Sequence, residues 1–318
     1  MRVVVVGGGS WGTAFAKLLA DHHHEVTLAC RDAEQVRIIA ETGRNPRYLT
    51  SASLDGVAAT TISEAPVADA DLAVLAVPSR AFAGLVNDLH GTCPVLTLTK
   101  GLDPATGRRL STLVSGRPVA CLSGPNFAEE IAAGLPAATV IASEDEALAV
   151  RLQDAISSPI FRVYVNSDIV GVEFCGAAKN VIALAAGGID GLGLGDNAKA
   201  GLITRGVAEM ARLGQAAGAR LETFAGLAGM GDLMVTCWSN LGRNRRAGEL
   251  IARGATSEQA VAEIGQVVEG ITTAPVLRDL ARSFDIELPI TDGVCAVLEG
   301  QSLGDLVEAI MGRRPRAE

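Results

Sequence analysis

The chain has 318 residues, which at about 150 residues per domain favours two domains. Hydrophobic residues make up 48% of it and charged residues 20%, a balance that excludes a disordered or fibrous protein. The 36 acidic and 27 basic side chains give a net charge of -9, so we expect no nucleic-acid partner.

A buried strand is predicted at the start of the chain, where the β-branched run Val3–Val6 is stopped by glycines. A helix pattern follows from residue 13 to about residue 21, and Glu25–Cys30 resembles a second strand. Asp32–Gln35 then has the pattern of a capping box for the next helix. Further strand-like runs, mostly separated by helix-like segments, lie at Val57–Thr61, Asp71–Val77, Val95–Thr99, Val119–Leu122, Ala138–Ala142 and Ile160–Val165. This alternation is typical of an α/β, doubly wound (Rossmann) parallel sheet.

The pattern changes after about Asn166, where strand-like runs stop and Ala-, Leu- and Gly-rich helical segments begin. A second capping box, Thr256–Gln259, opens a helix that extends to about Ile264. The longer helical segments are Val170–Gly187, Asn197–Gln215 and Ala247–Arg253. We therefore predict a dinucleotide-binding α/β domain over residues 1–167 and an all-α substrate domain over residues 168–318. The arginine-rich tail from Arg313 is expected to be frayed.

A glycine motif links the first predicted strand to the first helix. Gly7, Gly9 and Gly12 have the spacing G-x-G-x-x-G. Such glycines permit a tight turn and close approach to a pyrophosphate, which binds the free N–H groups of the helix N-terminus. The motif alone is weak, because an ordinary strand–helix turn can carry it. With a second strand about 20 residues further on, it predicts dinucleotide binding.

The end of the second strand bears on the choice of cofactor. An acidic residue here binds the ribose diol of NAD, whereas an arginine accommodates the 2′-phosphate of NADP. The sequence has both, as Arg31 and Asp32. Because Asp32 already serves as a helix cap, Arg31 favours NADPH, with NADH tolerated. A solvated surface arginine is the alternative.

Two of the four lysines lie where chemistry is expected. Lys100 follows a strand, at the sheet edge where open α/β proteins bind ligands, although a surface loop lysine is the alternative. The segment Ser123–Ala128 likewise joins a strand end, a glycine turn and a helix start. Lys179 lies on a helix among small and apolar residues. An amine in a low-dielectric environment loses proton affinity, which suits general acid–base catalysis. A lysine that reaches solvent from an apolar helix is the alternative.

The segment Gly242–Arg246 places three guanidinium groups within four positions of an acidic protein. Guanidinium groups match the oxygens of a phosphate. A solvated basic helix start is the alternative.

The six cysteines include no C-x-x-C pair, which favours free thiols in a reducing cytoplasm over a zinc site or disulfides. The consecutive histidines at 22–24 point about 100° apart on a helix, so we expect no metal. The longest uncharged stretch near mid-chain, Ile131–Ser143, is too short to span a bilayer. Three glycines interrupt the N-terminal apolar run, and we expect no targeting signal.

Together these segments resemble the bacterial NAD(P)-dependent glycerol-3-phosphate dehydrogenases over nearly the whole chain. The opening residues 7–14, GGGSWGTA, are similar to that family's GxGSWGTA fingerprint. Residues 176–180 and 191–197 are similar to the signature around its catalytic lysine. Further segments follow in the family's order, at Gly231–Leu233, Thr236–Cys237, Arg243–Arg246 and Gln266–Gly270.

The resemblance implies reversible hydride transfer between NAD(P)H and C2 of dihydroxyacetone phosphate or glycerol 3-phosphate, in support of glycerophospholipid synthesis. Lys179 would be the catalytic proton carrier. The substrate contacts that it implies are Lys100, Gly124, Asn126, Lys179, Asp232, Arg243 and Asn244. With the glycine motif, the cofactor contacts are Gly7, Gly9, Ser10, Trp11, Gly12, Arg31, Lys100, Ala128, Arg243, Val267 and Glu269. The sequence departs from the family pattern at Gly242, where serine is usual, at Asn126 and at Thr50.

Two other functions stay open at this point. One is a related two-domain reductase of another hydroxy acid or ketone. The other is a non-catalytic NAD(P)-binding sensor, in which Lys100 and Lys179 would be idle. We expect a small phosphorylated substrate, no membrane span and a cytoplasmic location, and the oligomeric state is left open between a monomer and a homodimer.

Overall fold

The computed structural model describes residues 1–311, so the expected fraying from Arg313 lies outside the described residues. Within them, eight strands form one sheet. The strands are β1 (Arg2–Val6), β2 (Glu25–Cys30), β3 (Val57–Thr61), β4 (Leu72–Leu75), β5 (Val95–Thr97), β6 (Val119–Ser123), β7 (Ala137–Ala142) and β8 (Phe161–Asn166). All eight predicted strands are confirmed.

The sheet has the strand order β3-β2-β1-β4-β5-β6-β7-β8. The order reverses direction between β1 and β4, which creates a crevice at the carboxyl ends of these strands. Helices on both faces complete the α/β part of the chain. They are α1 (Ser10–Asp21), α2 (Ala33–Thr42), α3 (Ser79–Asn87), α4 (Ala128–Ala132) and α5 (Glu146–Ile156).

One pairing differs from the parallel sheet that the sequence predicts, since β6 and β7 run antiparallel. The five residues of β6 extend about 16 Å. The connecting helix α4 also has five residues, which cover only about 7.5 Å. This helix is too short to carry the chain back along the sheet. The chain therefore re-enters from the edge at which β6 ends.

After β8 the described chain is entirely helical. Its helices are α6 (Ile169–Gly191), α7 (Gly195–Ala216), α8 (Leu221–Ala225), α9 (Asp232–Trp238), α10 (Arg243–Ala252), α11 (Ser257–Ile264), α12 (Glu269–Ser283), α13 (Pro289–Leu298) and α14 (Leu303–Met311). Because β8 ends at Asn166 and α6 begins at Ile169, the change in character lies where the sequence predicts it. The division into domains at 167/168 stays a prediction.

Of the two predicted capping boxes, one is confirmed and one is wrong. The Thr256 hydroxyl accepts from the N–H of Gln259 at 3.2 Å, and the Gln259 side chain accepts from the N–H of Thr256 at 2.8 Å. Asp32 does cap α2, by accepting from the N–H of Glu34. Gln35, however, is buried and donates to the Gly8 carbonyl at 2.7 Å. It supports the glycine loop instead of the helix start.

Helix α6 is the centre of the helical part. By length and composition it could cross a membrane, but 89% of its apolar window is buried inside the protein, as in a core helix. Its closest neighbour is α10, because Gly187 and Gly248 lack side chains where the backbones meet. A Cβ on either glycine would collide with a carbonyl of the other helix, that of Arg245 or Leu184. This contact fixes the start of α10 beside α6.

Candidate active site

A cleft of about 650 Å³ opens at the crevice between β1 and β4, and the helical part forms its other wall. Most of the site residues predicted from the sequence line it. They are Gly7, Gly9, Ser10, Trp11, Arg31, Lys100, Asn126, Ala128, Lys179, Asp232, Arg243, Asn244, Val267 and Glu269. Gly12 and Gly124 do not line the cleft, but each contacts a residue that does.

The glycine loop shapes the end of the cleft next to β1. Gly7 has a φ of +118°, and a Cβ there would collide with the Ala76 carbonyl at the end of β4. A Cβ on Gly12 would collide with the Gly7 carbonyl, so α1 packs directly against the loop. Helix α1 starts after Gly9 without a side-chain cap among the described residues. Its first N–H groups are therefore available to an anion such as a pyrophosphate.

Trp11 adds a second feature that fits a dinucleotide. Its indole Nε1–H is buried and has no acceptor within residues 1–311, although the side chain lines the cleft. Buried donors in folded proteins nearly always have a partner. An unpaired donor beside free N–H groups is suited to a bound polar ligand, and the residues present fit a nicotinamide dinucleotide.

The end of β2 carries an excess of positive charge. The two carboxylate oxygens of Asp32 are both engaged, one by the N–H of Glu34 and the other by the Arg47 guanidinium at 2.6 Å. Arg31 is exposed and lines the cleft. Arg47 and Arg80, which the sequence did not single out, also line it. Arg47 thus neutralises Asp32, and the remaining positive charge at this end of the cleft comes from Arg31 and Arg80.

The centre of the site is a buried carboxylate between two lysines. Asp232, the first residue of α9, is 2% exposed. Its Oδ1 accepts from Lys179 Nζ at 2.7 Å, and its Oδ2 accepts from Lys100 Nζ at 2.6 Å. Lys100 comes from the end of β5 and Lys179 from the middle of α6. Asp232 therefore joins the two parts of the chain.

The two ammonium groups differ in their remaining contacts. Lys100 Nζ also donates to the Gly124 carbonyl and to Asn126 Oδ1, both at 3.1 Å, so its three donors are used. Lys179 Nζ has one further acceptor among the described residues, Thr236 Oγ1 at 2.9 Å. Lys179 is thus left with one open position on the nitrogen and lies against the cleft.

The charges of the cluster shift the pKa values of its members. Burial lowers the pKa of Lys100 to about 8, because desolvation penalises the ammonium form; Asp232 opposes this effect and Lys179 adds to it. For Asp232, burial alone would raise the pKa. The two lysines outweigh burial and hold the pKa of this carboxyl below its ordinary value. Asp232 therefore stays ionised, and the cluster can carry excess positive charge in an acidic protein.

The start of α10 lies beside this cluster. Gly242 is its N-cap and supplies no side-chain acceptor, so the described chain leaves the first N–H groups of the helix uncapped. A Cβ at Gly242 would lie 2.7 Å from the Thr236 carbonyl, which leaves little room for a side chain at this position. Arg243 is exposed, lines the cleft and donates to the Val267 carbonyl at 3.1 Å.

The neighbouring residues of this basic segment have structural contacts. Asn244 is buried and connects three helices, since it donates to Asn180 Oδ1 and accepts from the N–H of Gly270, both at 2.9 Å. Arg245, one of the three arginines that the sequence predicts for phosphate binding, is buried and paired with Asp190 at 2.6 Å. Because the Arg245 guanidinium is held in this ion pair, the arginines of this segment that face the cleft are Arg243 and Arg246.

Comparisons with known proteins agree on one family. Residues 2–149 match the family model described as the NAD-dependent glycerol-3-phosphate dehydrogenase N-terminus, and residues 168–308 match that of the C-terminus. A glycerol-3-phosphate dehydrogenase (NAD(P)+) from Moorella thermoacetica is 47% identical, over 99% of this chain and 96% of the relative. One from Nocardia farcinica is 46% identical, over 100% and 99%.

A solved structure extends the similarity to three dimensions. The crystal structure of glycerol-3-phosphate dehydrogenase from Coxiella burnetii matches with a TM-score of 0.94 and 36% sequence identity, and it covers 98% of this chain and 99% of that one. The two family models together cover both parts of the fold, and each relative by itself spans both parts. The chain belongs to the NAD-dependent glycerol-3-phosphate dehydrogenase family.

Proposed function

We propose that this protein is an NAD(P)-dependent glycerol-3-phosphate dehydrogenase, which interconverts dihydroxyacetone phosphate and glycerol 3-phosphate. The observation that carries the proposal is the buried Asp232 carboxylate that holds Lys100 and Lys179 at the wall of a dinucleotide cleft. Family membership over both parts of the chain supports the same activity. A binding sensor would have no need to bury two lysines on one carboxylate, because burial of charge is costly.

The residues divide the chemistry between them. When bound, the nicotinamide cofactor supplies the hydride to C2 of the ketone or removes it from the alcohol. Lys179 is the group that we assign to the proton, because its nitrogen has an open position toward the cleft. In the reductive direction it donates a proton to the C2 oxygen, and in oxidation the neutral amine accepts the hydroxyl proton. Asp232 keeps the nitrogen in place in both directions.

The phosphate of the substrate has a suitable site at the start of α10. The Arg243 guanidinium and the uncapped N–H groups of the helix offer several donors to an anion within the same cleft. Lys100 would reach the substrate by exchanging one of its three acceptors for a substrate oxygen. These contacts hold a small, flexible substrate in one orientation, which is itself a large part of catalysis.

The direct test is oxidation of NADPH in the presence of dihydroxyacetone phosphate, followed by absorbance. We expect rapid turnover with this substrate and little with dihydroxyacetone, which lacks the phosphate. Turnover of non-phosphorylated ketones at a comparable kcat/KM would instead indicate a reductase of another substrate. NADPH binding without turnover of any ketone would indicate a sensor.

Arg31 is proposed to select NADPH over NADH. Both Asp32 oxygens are engaged, so the exposed Arg31 guanidinium at the end of β2 decides the local charge. We expect Arg31→Ala to weaken NADPH binding by about tenfold, since the lost contact is charge-assisted but exposed. NADH binding should change by less than about twofold. Fluorescence titration of both cofactors measures this, and equal losses would show that Arg31 does not contact the 2′-phosphate.

We also propose that the enzyme acts in the cytoplasm and supplies glycerol 3-phosphate for phospholipid synthesis. The six cysteines support a reducing compartment, because all of them are free and five are buried. The oligomeric state stays open between a monomer and a homodimer, and sedimentation velocity distinguishes the two.

A further inference from the structure

A second carboxylate, that of Glu269, links the two parts of the chain through hydrogen bonds to Ser79, a residue that has no role in the site described above. Glu269, the first residue of α12, accepts two hydrogen bonds from Ser79, the first residue of α3. The Ser79 N–H donates to Oε1 at 3.1 Å, and the Ser79 hydroxyl donates to Oε2 at 2.7 Å. The partners are 190 positions apart in the chain. They therefore join the α/β part directly to the helical part.

The two residues differ in their access to the cleft. Glu269 lines it, as do Pro78 and Arg80 on either side of Ser79. Ser79 itself is 2% exposed and does not line the cleft. A ligand in the cleft can thus contact Glu269 but not Ser79, and Ser79 can affect the ligand only through Glu269.

Ser79 also packs against the loop that follows Lys100. A Cβ on Gly101 would lie 3.0 Å from the Ser79 Cβ and 3.6 Å from Glu269 Oε2. The carboxylate is therefore held in a close-fitting position at the ends of β4 and β5. Its side chain has little freedom to turn away from Ser79.

The charge of Glu269 needs such a partner. A carboxylate beside the phosphates of a dinucleotide is unfavourable, since like charges repel. The N-terminus of α3, a nine-residue helix, stabilises a negative charge through its dipole and its free N–H groups. A carboxylate accepts up to about four hydrogen bonds. With two taken by Ser79, Glu269 keeps capacity for the hydroxyl groups of a ribose.

We propose that Ser79 is a positioning residue for the cofactor, which holds the Glu269 carboxylate in the orientation that accepts ribose hydroxyls. The inference rests on the proposed function only in taking the dinucleotide as the ligand. The proposal adds Ser79, which lies outside the cleft, to the residues that shape the cofactor site. It also gives a reason for the hydrogen bonds between this buried serine of the α/β part and Glu269 of the helical part.

The test replaces Ser79 with Ala, which removes the hydroxyl and leaves the backbone N–H in place. We expect the Kd for NADPH to rise on the order of 5- to 20-fold. This is at the low end of the loss of a hydrogen bond to a charged group, because the Ser79 N–H still holds Glu269 Oε1. The KM for NADPH should rise with it, and kcat should stay within about twofold because the Lys179 cluster is untouched. Titration of intrinsic fluorescence gives the Kd without turnover.

Ser143→Ala is the matched control. Ser143 is 1% exposed, and its hydroxyl donates to the Val119 carbonyl at 2.7 Å, so it loses a buried hydrogen bond of similar length. It does not line the cleft and has no contact with Glu269 among those described. We expect its Kd for NADPH to equal that of the wild type. An equal weakening in both variants would overturn the proposal, because it would reflect a general loss of packing.

A double-mutant cycle separates positioning from direct contact. If Ser79 acts through Glu269, adding Ser79→Ala to Glu269→Ala changes the Kd by less than about twofold. If the double variant binds NADPH more weakly than Glu269→Ala by the full factor seen for Ser79→Ala alone, the proposal is contradicted. Should Ser79→Ala fail to fold, Ser79→Cys keeps a similar shape with a weaker donor, and an unchanged Kd in that variant would contradict the proposal.

The outcomes for the two proposals are distinguishable. Wild-type protein that binds NADPH but does not reduce dihydroxyacetone phosphate contradicts the proposed function and leaves the Ser79 measurement valid. An active wild-type enzyme with unchanged NADPH affinity in Ser79→Ala contradicts the role of Ser79 alone.

Discussion

Replacement of Lys179 with Ala is expected to lower kcat by about 100- to 10,000-fold, the range typical of general acid–base catalysis. Lys179 Nζ is held by Asp232 and Thr236 and keeps one position open to the cleft. Without the amine, the proton at the C2 oxygen has no carrier at that place. NADPH affinity should stay nearly unchanged, because the variant leaves the glycine loop and Trp11 intact.

The measurement combines steady-state turnover with a cofactor titration. Asp232 keeps Lys100 as a counterion at 2.6 Å in the Lys179→Ala variant, so the fold should survive the substitution. A thermal unfolding scan checks this. Lys17→Ala is the charge control, since Lys17 is on α1 and pairs with Asp21. Turnover of Lys179→Ala within a few-fold of the wild type would exclude Lys179 as the proton carrier.

Arg243→Ala should reduce kcat/KM for dihydroxyacetone phosphate by on the order of 10- to 100-fold, since charge-assisted hydrogen bonds contribute about 1.5–3 kcal/mol. Gly242 supplies no hydroxyl to the phosphate, and Arg245 is committed to Asp190. Arg243 therefore carries a large share of the binding. A solvated arginine without this role would contribute only about 0–1 kcal/mol.

The effect should be specific for the phosphate. The already weak activity with dihydroxyacetone should fall far less than that with the phosphorylated ketone. Arg253→Ala is the matched control, because Arg253 follows the other end of α10 and pairs with Glu249 on the surface. If Arg243→Ala lowers both activities equally, its role is in cofactor binding or folding and not in holding the phosphate.

The strands were predictable because buried strands of a parallel sheet are continuous apolar runs, as in Val3–Val6 and Val95–Thr97. The direction of each strand was not predictable, because it depends on whether the segment between two strands is long enough to return along the sheet. The short helix α4 reverses β7, and no residue of β7 itself signals this. The capping box predicted at Gln35 is wrong for a related reason. The local pattern of Gln35 fits a cap, but its partner Gly8 is 27 positions away.

In the site, too, local sequence patterns predict the position of single residues, whereas contacts between residues distant in sequence were not predictable. Local patterns placed Lys100 at a strand end and Lys179 on an apolar helix. That both share Asp232 follows from the packing of α9 against α6 and from the position of Lys100 after β5, across separations of 53 and 132 positions. Ser79 carried no signal, since a serine at a helix start is common. The catalytic and binding roles of these residues stay predictions until the variants are measured.

The apolar character of α6 has a consequence for synthesis of the protein. Its covering helices α10 and α12 lie roughly 50 to 90 residues further along the chain. At about 5–20 residues per second, they leave the ribosome on the order of 3 to 20 seconds later. During that interval the face of this 23-residue apolar helix that packs against α10 and α12 is uncovered and open to chaperones or to aggregation. The helix that carries Lys179 is thus also a segment that the nascent chain must protect until its C-terminal helices have been made.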